Sequence, residues 1–392
     1  MPTTNQESHV RWGRVIAISM SGIVSHAFGR ATLQTVLPAI SDELELGSDI
    51  EGYLGATNFG AYFVGVIVIT FVGARLAPFN LLRAGMTIVA AGLGLLVFAN
   101  SVAMLFAGVF LAGLGGPGIW LSMPTLVAAE ATPDRRGAVM GSLTGTMGVA
   151  FILVPVLTTL IRKLADDDGL WRPTWIMAFG FSVVLLGFLT FGFRRPELPS
   201  EERPVGMRPL FKQSAWRPAV IAYASFGFIA ASYGLFLGRM LEDDAGFDRT
   251  FTTLMFTLMG FGSIAGAMGF GRLSDRLGRP RVMMMVFLLL SVSLLGLTSG
   301  TKSLVALSIF AVGSCSASIP SLIAADTRDR AGDRDFTAVF GAMTIFYGPA
   351  SILGPSLGGR IGGAAGSFTA FYFLLSAMAL ISMGAAWRLS QN

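Results

Sequence analysis

His26 and Arg30 lie four residues apart inside an otherwise apolar stretch at 15–40. In a helix this spacing places both side chains on one face. The planar guanidinium of an arginine offers paired donors that suit a carboxylate or a similar oxyanion. A histidine changes charge near neutral pH and could carry a proton. The pair therefore predicts a site for a small organic anion, with Arg30 as its ligand and His26 as the candidate proton carrier.

Both residues also allow a plainer interpretation. Arg30 could cap backbone carbonyls or extend toward the membrane surface, and His26 could be a neutral hydrogen-bonding group between helices. An arginine at mid-membrane costs roughly 2.5–3.5 kcal/mol on insertion scales and usually faces a cavity or a partner. This cost favours a functional role for Arg30.

The helix that carries these residues belongs to a chain of 392 residues, of which 53% are hydrophobic and 13% charged. Ordinary soluble domains are roughly a quarter charged. Long apolar runs separated by short polar breaks are typical of membrane-spanning helices, and the chain has no alternating strand pattern. We expect an all-α integral membrane protein with twelve spans, at roughly 15–38, 52–72, 83–99, 103–127, 138–161, 174–193, 218–238, 251–270, 282–299, 303–325, 336–359 and 369–387.

Charge distribution predicts the orientation of the chain. With the N terminus inside, most of the 28 Lys and Arg residues fall on the cytoplasmic side, as the positive-inside rule requires. An even number of spans then places both termini in the cytoplasm, in the inner (plasma) membrane. The net charge of +5 is thereby explained without a nucleic-acid partner. Arg30 is the one basic residue that this topology leaves unexplained, and none of the 23 Asp and Glu residues lies near the middle of a predicted span.

Internal similarity predicts two halves. SMPTLVAAE (122–130) recurs as SIPSLIAAD (318–326), and GSLTGTMGVAFILVP (141–155) aligns with GAMTIFYGPASILGP (341–355). A proline-rich, charged stretch separates the repeats, so we expect an N-terminal six-helix half at 1–193, a cytoplasmic linker at 194–217 and a C-terminal six-helix half at 218–392. Duplicated halves with a substrate site between them are a transporter architecture.

The same repeat provides a comparison for the charged pair. At an offset of 200, His26 aligns with Phe226 and Arg30 aligns with Ala230. The second half has apolar residues where the first half has the charges. The architecture therefore does not need these charges in order to fold.

The stretch GRLSDRLGRPR at 271–281 resembles the signature loop of the major facilitator superfamily. The resemblance implies two pseudo-symmetric six-helix halves and a cytoplasmic gate formed by Gly271, Asp275, Arg276, Gly278 and Arg279. We expect Glu130 and Asp326, which are related by the repeat, to be partners of the gate arginines. Two departures are noted: Ala77 replaces the acid in the equivalent loop of the first half, and Val109 stands where many members have a coupling arginine.

Further polar residues are candidate ligands. Gln34 lies one turn beyond Arg30, and Asn58 and Tyr62 lie four apart on the second predicted span. The resemblance adds Trp120, Tyr233 and Tyr347, because they fall in spans that line the cavity in this superfamily. Segments such as GYLGATNFGAYFVG (52–65) are similar to a branch of small bacterial members whose substrates are largely unassigned.

The sequence thus predicts a monomeric, proton-coupled secondary transporter of a small carboxylate-like anion in the lipid bilayer, without a cofactor or metal. The alternative is a proton-driven exporter of hydrophobic or drug-like compounds, which is less favoured because cation exporters usually place an acid in the membrane core. A membrane enzyme or receptor would need a nucleotide loop, a metal cluster or a large soluble domain, and none of these motifs is found in the sequence.

Overall fold

The computed structural model describes residues 11–72, 76–130, 136–192 and 207–391, and within these ranges the secondary structure is helical, with no strand. The chain before the predicted linker is called the first half and the chain after it the second half. The position of that boundary remains a prediction, because most of the linker lies outside the described residues.

The first half begins with a long helical rod in three parts. These are α1 (Trp12–Gly22), a π-helix (Ile23–Ala31) and α2 (Thr32–Leu44). The other helices of this half are α3 (Ser48–Val72), α4 (Pro78–Val97), α5 (Val102–Ala129), α6 (Arg136–Ala165) and α7 (Arg172–Phe191).

The second half begins with a short helix and then repeats the pattern of long helices. Its helices are α8 (Arg208–Phe211), α9 (Trp216–Arg239) with a π-helical extension (Met240–Asp244), α10 (Arg249–Leu277), α11 (Arg279–Gly296), α12 (Lys302–Ala365) and α13 (Thr369–Leu389). Two helices merge in α12 across a corner at Gly332, whose φ of 73° is left-handed. Glycine adopts this conformation without steric cost.

Ten helices in the described residues are long and apolar enough to cross a membrane, with α12 contributing two of them, Lys302–Gly332 and Ala338–Ala365. The first rod and α6 are not among the ten. An all-α membrane protein is thus confirmed, and the count of twelve spans remains a prediction.

Glycines allow neighbouring helices to pack closely. A Cβ at Gly85 of α4 would lie 2.6 Å from the carbonyl oxygen of Gly115 on α5, and a Cβ at Gly92 would lie 2.6 Å from that of Gly108. Small residues of this kind let helix backbones approach each other within a bilayer. The chain therefore uses part of its 49 glycines as packing surfaces.

The two halves meet chiefly along three pairs of helices, α2 with α9, α3 with α12, and α6 with α10, and α3 also contacts α9. Helices run alternately between two ends of the bundle. We call the end that carries Trp12 and Leu389 the terminal end, and the opposite end, which carries Leu44 and Arg239, the far end. The polar side chains of the candidate site lie between these ends.

Candidate functional site

A single stripe of side chains on the first rod is accessible. Between residues 21 and 41 every residue is buried except His26, Arg30 and Gln34, which are partly exposed. These three follow the spacing of one helix face. Because the helix is buried on all other sides, we infer that this stripe lines an internal cavity.

The stripe begins in the π-helical part of the rod. Ile23–Ala31 is π-helical and contains both His26 and Arg30. The hydroxyl of Thr32 donates a hydrogen bond of 3.2 Å to the carbonyl oxygen of Ala27, five residues earlier. Departures of this kind from α-helical geometry are frequent at functional sites. The sequence alone did not predict this feature.

Arg30 is held from the side of α3. Its Nε donates to Oδ1 of Asn58 at 3.3 Å. Its Cζ lies 4.4 Å from the ring centroid of Phe59 and 4.7 Å from that of Tyr62. Such contacts stabilise a guanidinium by cation–π attraction. Arg30 is therefore fixed in position by α3.

The terminal nitrogens of Arg30 remain available. Within the described part of the chain they donate no hydrogen bond, and no carboxylate pairs with Arg30. These nitrogens are not among the polar atoms that are both buried and without a hydrogen-bond partner. The paired donors of the guanidinium therefore face the cavity.

Asn58 acts as the positioning residue for Arg30. This asparagine is buried, and its Nδ2 donates to the carbonyl oxygens of Gly29 at 2.9 Å and Val109 at 3.2 Å. With both amide donors engaged, its Oδ1 is oriented toward Arg30. Asn58 thereby connects the first rod, α3 and α5 at the level of the cavity.

His26 is surrounded by aromatic rings. Its ring centroid lies 4.7 Å from that of Trp120 on α5 and 6.4 Å from that of Tyr62 on α3. Its Nδ1 is buried and has no hydrogen-bond partner among the described residues. Tyr62 thus contacts both charged candidates, and the structure brings His26, Arg30, Asn58, Tyr62 and Trp120 together in one site.

The second half contributes the opposite wall. Tyr347 on α12 packs against Tyr223 of α9 with ring centroids 4.7 Å apart, and the next residue, Gly348, packs against Phe63 of α3. Gln34 packs against α9, where a Cβ at Gly234 would lie 2.6 Å from its Oε1. Tyr233 is buried, its carbonyl oxygen accepts a hydrogen bond of 2.6 Å from Tyr372, and it makes no described contact with His26 or Arg30.

The residue that aligns with Arg30 at the offset of 200 is Ala230, and its exposure resembles that of Arg30. Ala230 is partly exposed, whereas its neighbours at 225–229 and 231–238 are buried. Phe226, which aligns with His26, is buried. The two halves therefore share an exposed position at Arg30 and Ala230, and only the first half places a charge there.

The far end holds a network of ion pairs between the halves that the sequence alone did not predict. Arg239 binds Glu51 at 2.8 Å and Asp42 at 3.1 Å, and Arg249 also pairs with Asp42. Glu51 is 1% exposed, and its Oε2 has no described hydrogen-bond partner. In the sequence these residues look like ordinary charged helix ends. Their pairing is not visible there because the partners lie about 200 residues apart.

A second cluster lies beside this network on the same end. Glu43 accepts hydrogen bonds of 2.6 Å from Nε1 of Trp171 and from Nη1 of Arg172, and it borders a surface cavity of about 400 Å³. Desolvation alone would raise the pKa of Glu43, but the hydrogen bonds from Arg172 and Trp171 hold that pKa below its ordinary value. Its carboxylate is therefore satisfied by the protein itself.

The signature loop lies at the terminal end. Gly278 has a φ of 89° and forms the turn between α10 and α11. Arg279 pairs with Asp275 at 2.6 Å and with Asp329 at 3.5 Å, and its Nη1 also contacts the Ser274 hydroxyl. The side chain of Arg276 is exposed, and Gly271 lies one turn before Asp275.

The two acids expected as gate partners bind other arginines in this structure. Glu130 pairs with Arg14 at 3.3 Å, and Asp326 pairs with Arg330 at 2.9 Å. Asp329, rather than Asp326, is the second ion-pair partner of Arg279. Among the described residues there is no group of three or more His, Cys, Asp or Glu side chains that could hold a metal ion.

Comparisons with known proteins agree with this geometry. The sequence profile described as "Uncharacterised MFS-type transporter YbfB" matches residues 23–387. No curated protein matches the chain.

Among solved structures, the chain is similar to a bacterial homolog of the human lysosomal transporter Spinster in an inward-facing and occupied conformation, with 13% identity, a TM-score of 0.72 and 97% of each chain covered. It is also similar to a mutant of the nucleoside transporter NupG, with 12% identity, a TM-score of 0.75 and coverage of 96% of this chain and 99% of the other. These likenesses show a shared fold. With the profile match across nearly its whole length, the chain belongs to the YbfB-like family of major facilitator superfamily transporters.

Proposed function

We propose that this transporter moves a small organic anion, such as a carboxylate, and that Arg30 is the ligand of its charged group. One observation carries the proposal: the terminal nitrogens of Arg30 face the cavity without a described protein partner, while Asn58, Phe59 and Tyr62 hold the rest of the guanidinium. A fork of donors that is positioned in advance and partly desolvated matches a carboxylate in geometry and charge.

We further propose that transport is coupled to protons through His26. Its Nδ1 is buried without a described partner, four residues from Arg30. Protonation of His26 beside Arg30 is electrostatically unfavourable when the cavity holds no anion, and a bound carboxylate removes that penalty. The proton and the anion would then bind together, as a symport mechanism requires.

The proposal includes the membrane and the assembly. We place the protein in the inner membrane as a monomer with the terminal end in the cytoplasm, which is the orientation that the distribution of Lys and Arg favours. The halves, with their expected boundary at 194–217, would rock about the cavity in alternating access. The similar Spinster homolog has been captured in an inward-facing conformation, which is consistent with this cycle.

A thermal-shift experiment on the purified full-length protein tests the ligand class. The probes are acetate, lactate, succinate and benzoate, compared with benzamide and tetraphenylphosphonium. We expect at least one carboxylate to stabilise the protein, with affinity reduced on the order of 100-fold in Arg30→Gln because a buried charged partner is lost. Arg30→Lys should recover only part of this affinity, since an ammonium lacks the planar fork.

Arg360→Gln is the matched control, because Arg360 lies at the far end and its Nε binds the Tyr53 hydroxyl at 3.1 Å. This variant should bind the carboxylate normally. Stabilisation by benzamide or tetraphenylphosphonium alone would contradict the anion proposal and favour the exporter alternative. Uptake by proteoliposomes under an imposed pH gradient then tests His26→Phe, the residue found at the aligned position in the second half. Unchanged coupling in that variant would rule out His26 as the proton carrier.

A further inference from the structure

Aromatic rings surround the free side of Arg30. In the first half, Tyr62 lies between Arg30 and His26, and Trp120 packs against His26 with its ring tilted by 54°. Tyr62 and Trp120 are both partly exposed. Their rings therefore present apolar faces to the cavity beside the guanidinium.

The second half carries a continuous stack of four rings, which we call the aromatic ladder: Phe336, Phe340, Tyr223 and Tyr347. Successive ring centroids lie 5.6, 5.3 and 4.7 Å apart, with interplanar angles of 22°, 32° and 35°. Separations of this size are typical of favourable offset aromatic pairs. Positions 336 and 347 on α12 are about 16 Å apart along the helix axis.

The ladder connects the terminal end with the level of Arg30. Phe336 lies one turn after the corner at Gly332, where Arg328 packs on its ring at 4.5 Å. That corner is at the terminal end, because Asp329 pairs with Arg279 of the α10–α11 turn and Arg330 binds the carbonyl oxygen of Leu389 at 2.7 Å. At its other end, Tyr347 is followed by Gly348, which packs against Phe63 of α3, the residue next to Tyr62. Phe336, Phe340 and Tyr347 are partly exposed.

We propose that the transported anion is an aromatic monocarboxylate, which rests on the proposed function of Arg30 as the anion ligand. Arg30 binds the carboxylate, and the ring of the substrate packs between Tyr62 and Trp120 of the first half and Tyr347 of the second. One carboxylate is specified because, among the described residues, Arg30 is the only lysine or arginine that contacts the rings of Tyr62, Trp120 or Tyr347, whereas Arg328 contacts Phe336 at the opposite end of the ladder. The aromatic ladder forms the path between this site and the terminal end.

The chemistry of the walls favours an aromatic body over a saturated one. Aromatic pairs contribute about 0.5–1.5 kcal/mol beyond the area that they bury, which corresponds to a preference of about fivefold at 1.4 kcal/mol per tenfold. The rings of the ladder cover one another's faces, so their edges hold an aromatic molecule by edge-to-face contact at each step without a fixed hydrogen bond. The substrate can therefore advance along the ladder without becoming trapped.

Equilibrium binding of benzoate and cyclohexanecarboxylate to the full-length protein tests the substrate class. The two probes have similar size and are both ionised at neutral pH, but only benzoate has a π system. We expect benzoate to bind about fivefold more tightly. The preference should fall to near unity in Tyr62→Leu and Tyr347→Leu, and it should persist in Phe373→Leu, a matched control whose side chain is exposed on α13. Because the ratio compares two ligands of one sample, partial misfolding does not change it.

The ladder is tested by stopped-flow fluorescence of the Trp120 environment during benzoate binding. Phe340→Leu should slow association about threefold and leave the equilibrium Kd within a factor of about two, because Phe340 lies on the path and outside the site. An unchanged association rate in Phe340→Leu would overturn the proposal that the substrate moves along the aromatic ladder.

The remaining outcomes separate the two proposals. Equal affinity for benzoate and cyclohexanecarboxylate overturns the aromatic class and leaves Arg30 as an anion ligand. Equal affinity for benzoate and benzamide overturns the anion ligand itself, and the aromatic monocarboxylate with it. Binding of acetate or lactate but neither larger probe overturns the aromatic class alone. Absence of any carboxylate binding overturns both.

Discussion

The two ends of the helix bundle hold their charged residues in different ways. At the far end, Arg239 of the second half binds Asp42 and Glu51 of the first half, and Arg249 also reaches Asp42. At the terminal end, the ion pairs between described residues lie within one half: Arg14 with Glu130, Arg279 with Asp329, and Arg330 with Asp326.

Opening the far end must therefore break ion pairs between the halves. Glycines reinforce the far end, since Gly52 of α3 directly contacts the carbonyl oxygen of Pro355 and the backbone of Gly359 on α12. A rocking motion that opens the far end must separate a buried ion pair and a close backbone contact. At the terminal end, the described ion pairs can persist through such a motion.

The opening of the far end can be measured by maleimide labelling of Leu235→Cys. Leu235 is 2% exposed and lies on α9 against Gly55 of α3, beneath the ion pairs. The native Cys315 is buried and is replaced by alanine in all variants. A variant that opens the far end should increase the labelling rate.

The largest expected effect comes from Arg239→Leu. This change leaves Glu51 buried without its arginine, and breaking a buried pair in this way costs roughly 3–5 kcal/mol. We expect labelling to rise on the order of 100-fold or more, at 1.4 kcal/mol per tenfold. Arg279→Leu at the terminal end is the control and should leave labelling unchanged. An equal increase in the two variants would contradict the difference between the ends.

Gly52→Ala should have the next largest effect. Its new Cβ would meet backbone atoms of Pro355 and Gly359, and overpacking of a well-packed contact costs about 1–3 kcal/mol. We expect labelling to rise about 30-fold. Gly269→Ala is the matched control, because nothing lies within 4 Å of its Cβ position. If Gly52→Ala left the labelling rate unchanged, the halves would not need close contact at this point.

Glu51→Gln is expected to act more weakly than Arg239→Leu. The amide keeps a hydrogen bond to Arg239 and leaves no uncompensated buried charge, so the loss is about 1–2 kcal/mol. Labelling should rise about tenfold, and the increase should persist across pH because the titrating carboxyl is gone. An effect larger than that of Arg239→Leu would show that the carboxylate, and not the pair, controls the far end.

Asp42→Asn should have the smallest effect. Its side chain is 49% exposed, and Arg239 retains Glu51 while Arg249 retains Glu242 at 3.0 Å. Exposed pairs contribute about 0–1 kcal/mol and are screened by salt. We expect labelling to rise less than about threefold, with the difference from the parent protein vanishing in high salt. If the increase in labelling persisted in high salt, Asp42 would belong to the buried part of the ion-pair network at the far end.

Much of the fold follows from the sequence because membrane helices have a strong compositional signal. Hydropathy locates the helices, and the repeats at 122–130 and 318–326 indicate two related halves. The loop at 271–281 identifies the superfamily. The merging of two helices into α12 was not predicted. The corner between them is made by a single residue, Gly332, which does not mark a loop in the sequence.

The candidate site was only partly predictable. His26 and Arg30 stand out because charged residues are rare in an apolar helix. Phe59 and Tyr223 do not stand out, since the chain contains 31 phenylalanines and 6 tyrosines and aromatic residues in an apolar helix carry no mark of the face they occupy. Tyr233 is the converse case. Its helix was expected to line the cavity, but its side chain is buried.

The far-end network escaped prediction for a different reason. Asp42, Glu51 and Arg239 all lie near helix ends, where charges are usually explained by contact with water and by topology. Their partners belong to the other half of the chain. Pairing across such a sequence distance depends on how the halves dock, which a single sequence does not specify.

The burial of the first rod has a consequence for how the protein is made. This helix is synthesised before the helices that surround it, yet in the finished protein every residue at 21–41 is buried except His26, Arg30 and Gln34. An arginine near mid-membrane costs roughly 2.5–3.5 kcal/mol on insertion, and Asn58, Phe59 and Tyr62, which hold it, arrive only with α3. Stable insertion of the first helix therefore depends on helices that follow it out of the ribosome, so the residues that serve the cavity also make biogenesis a cooperative process.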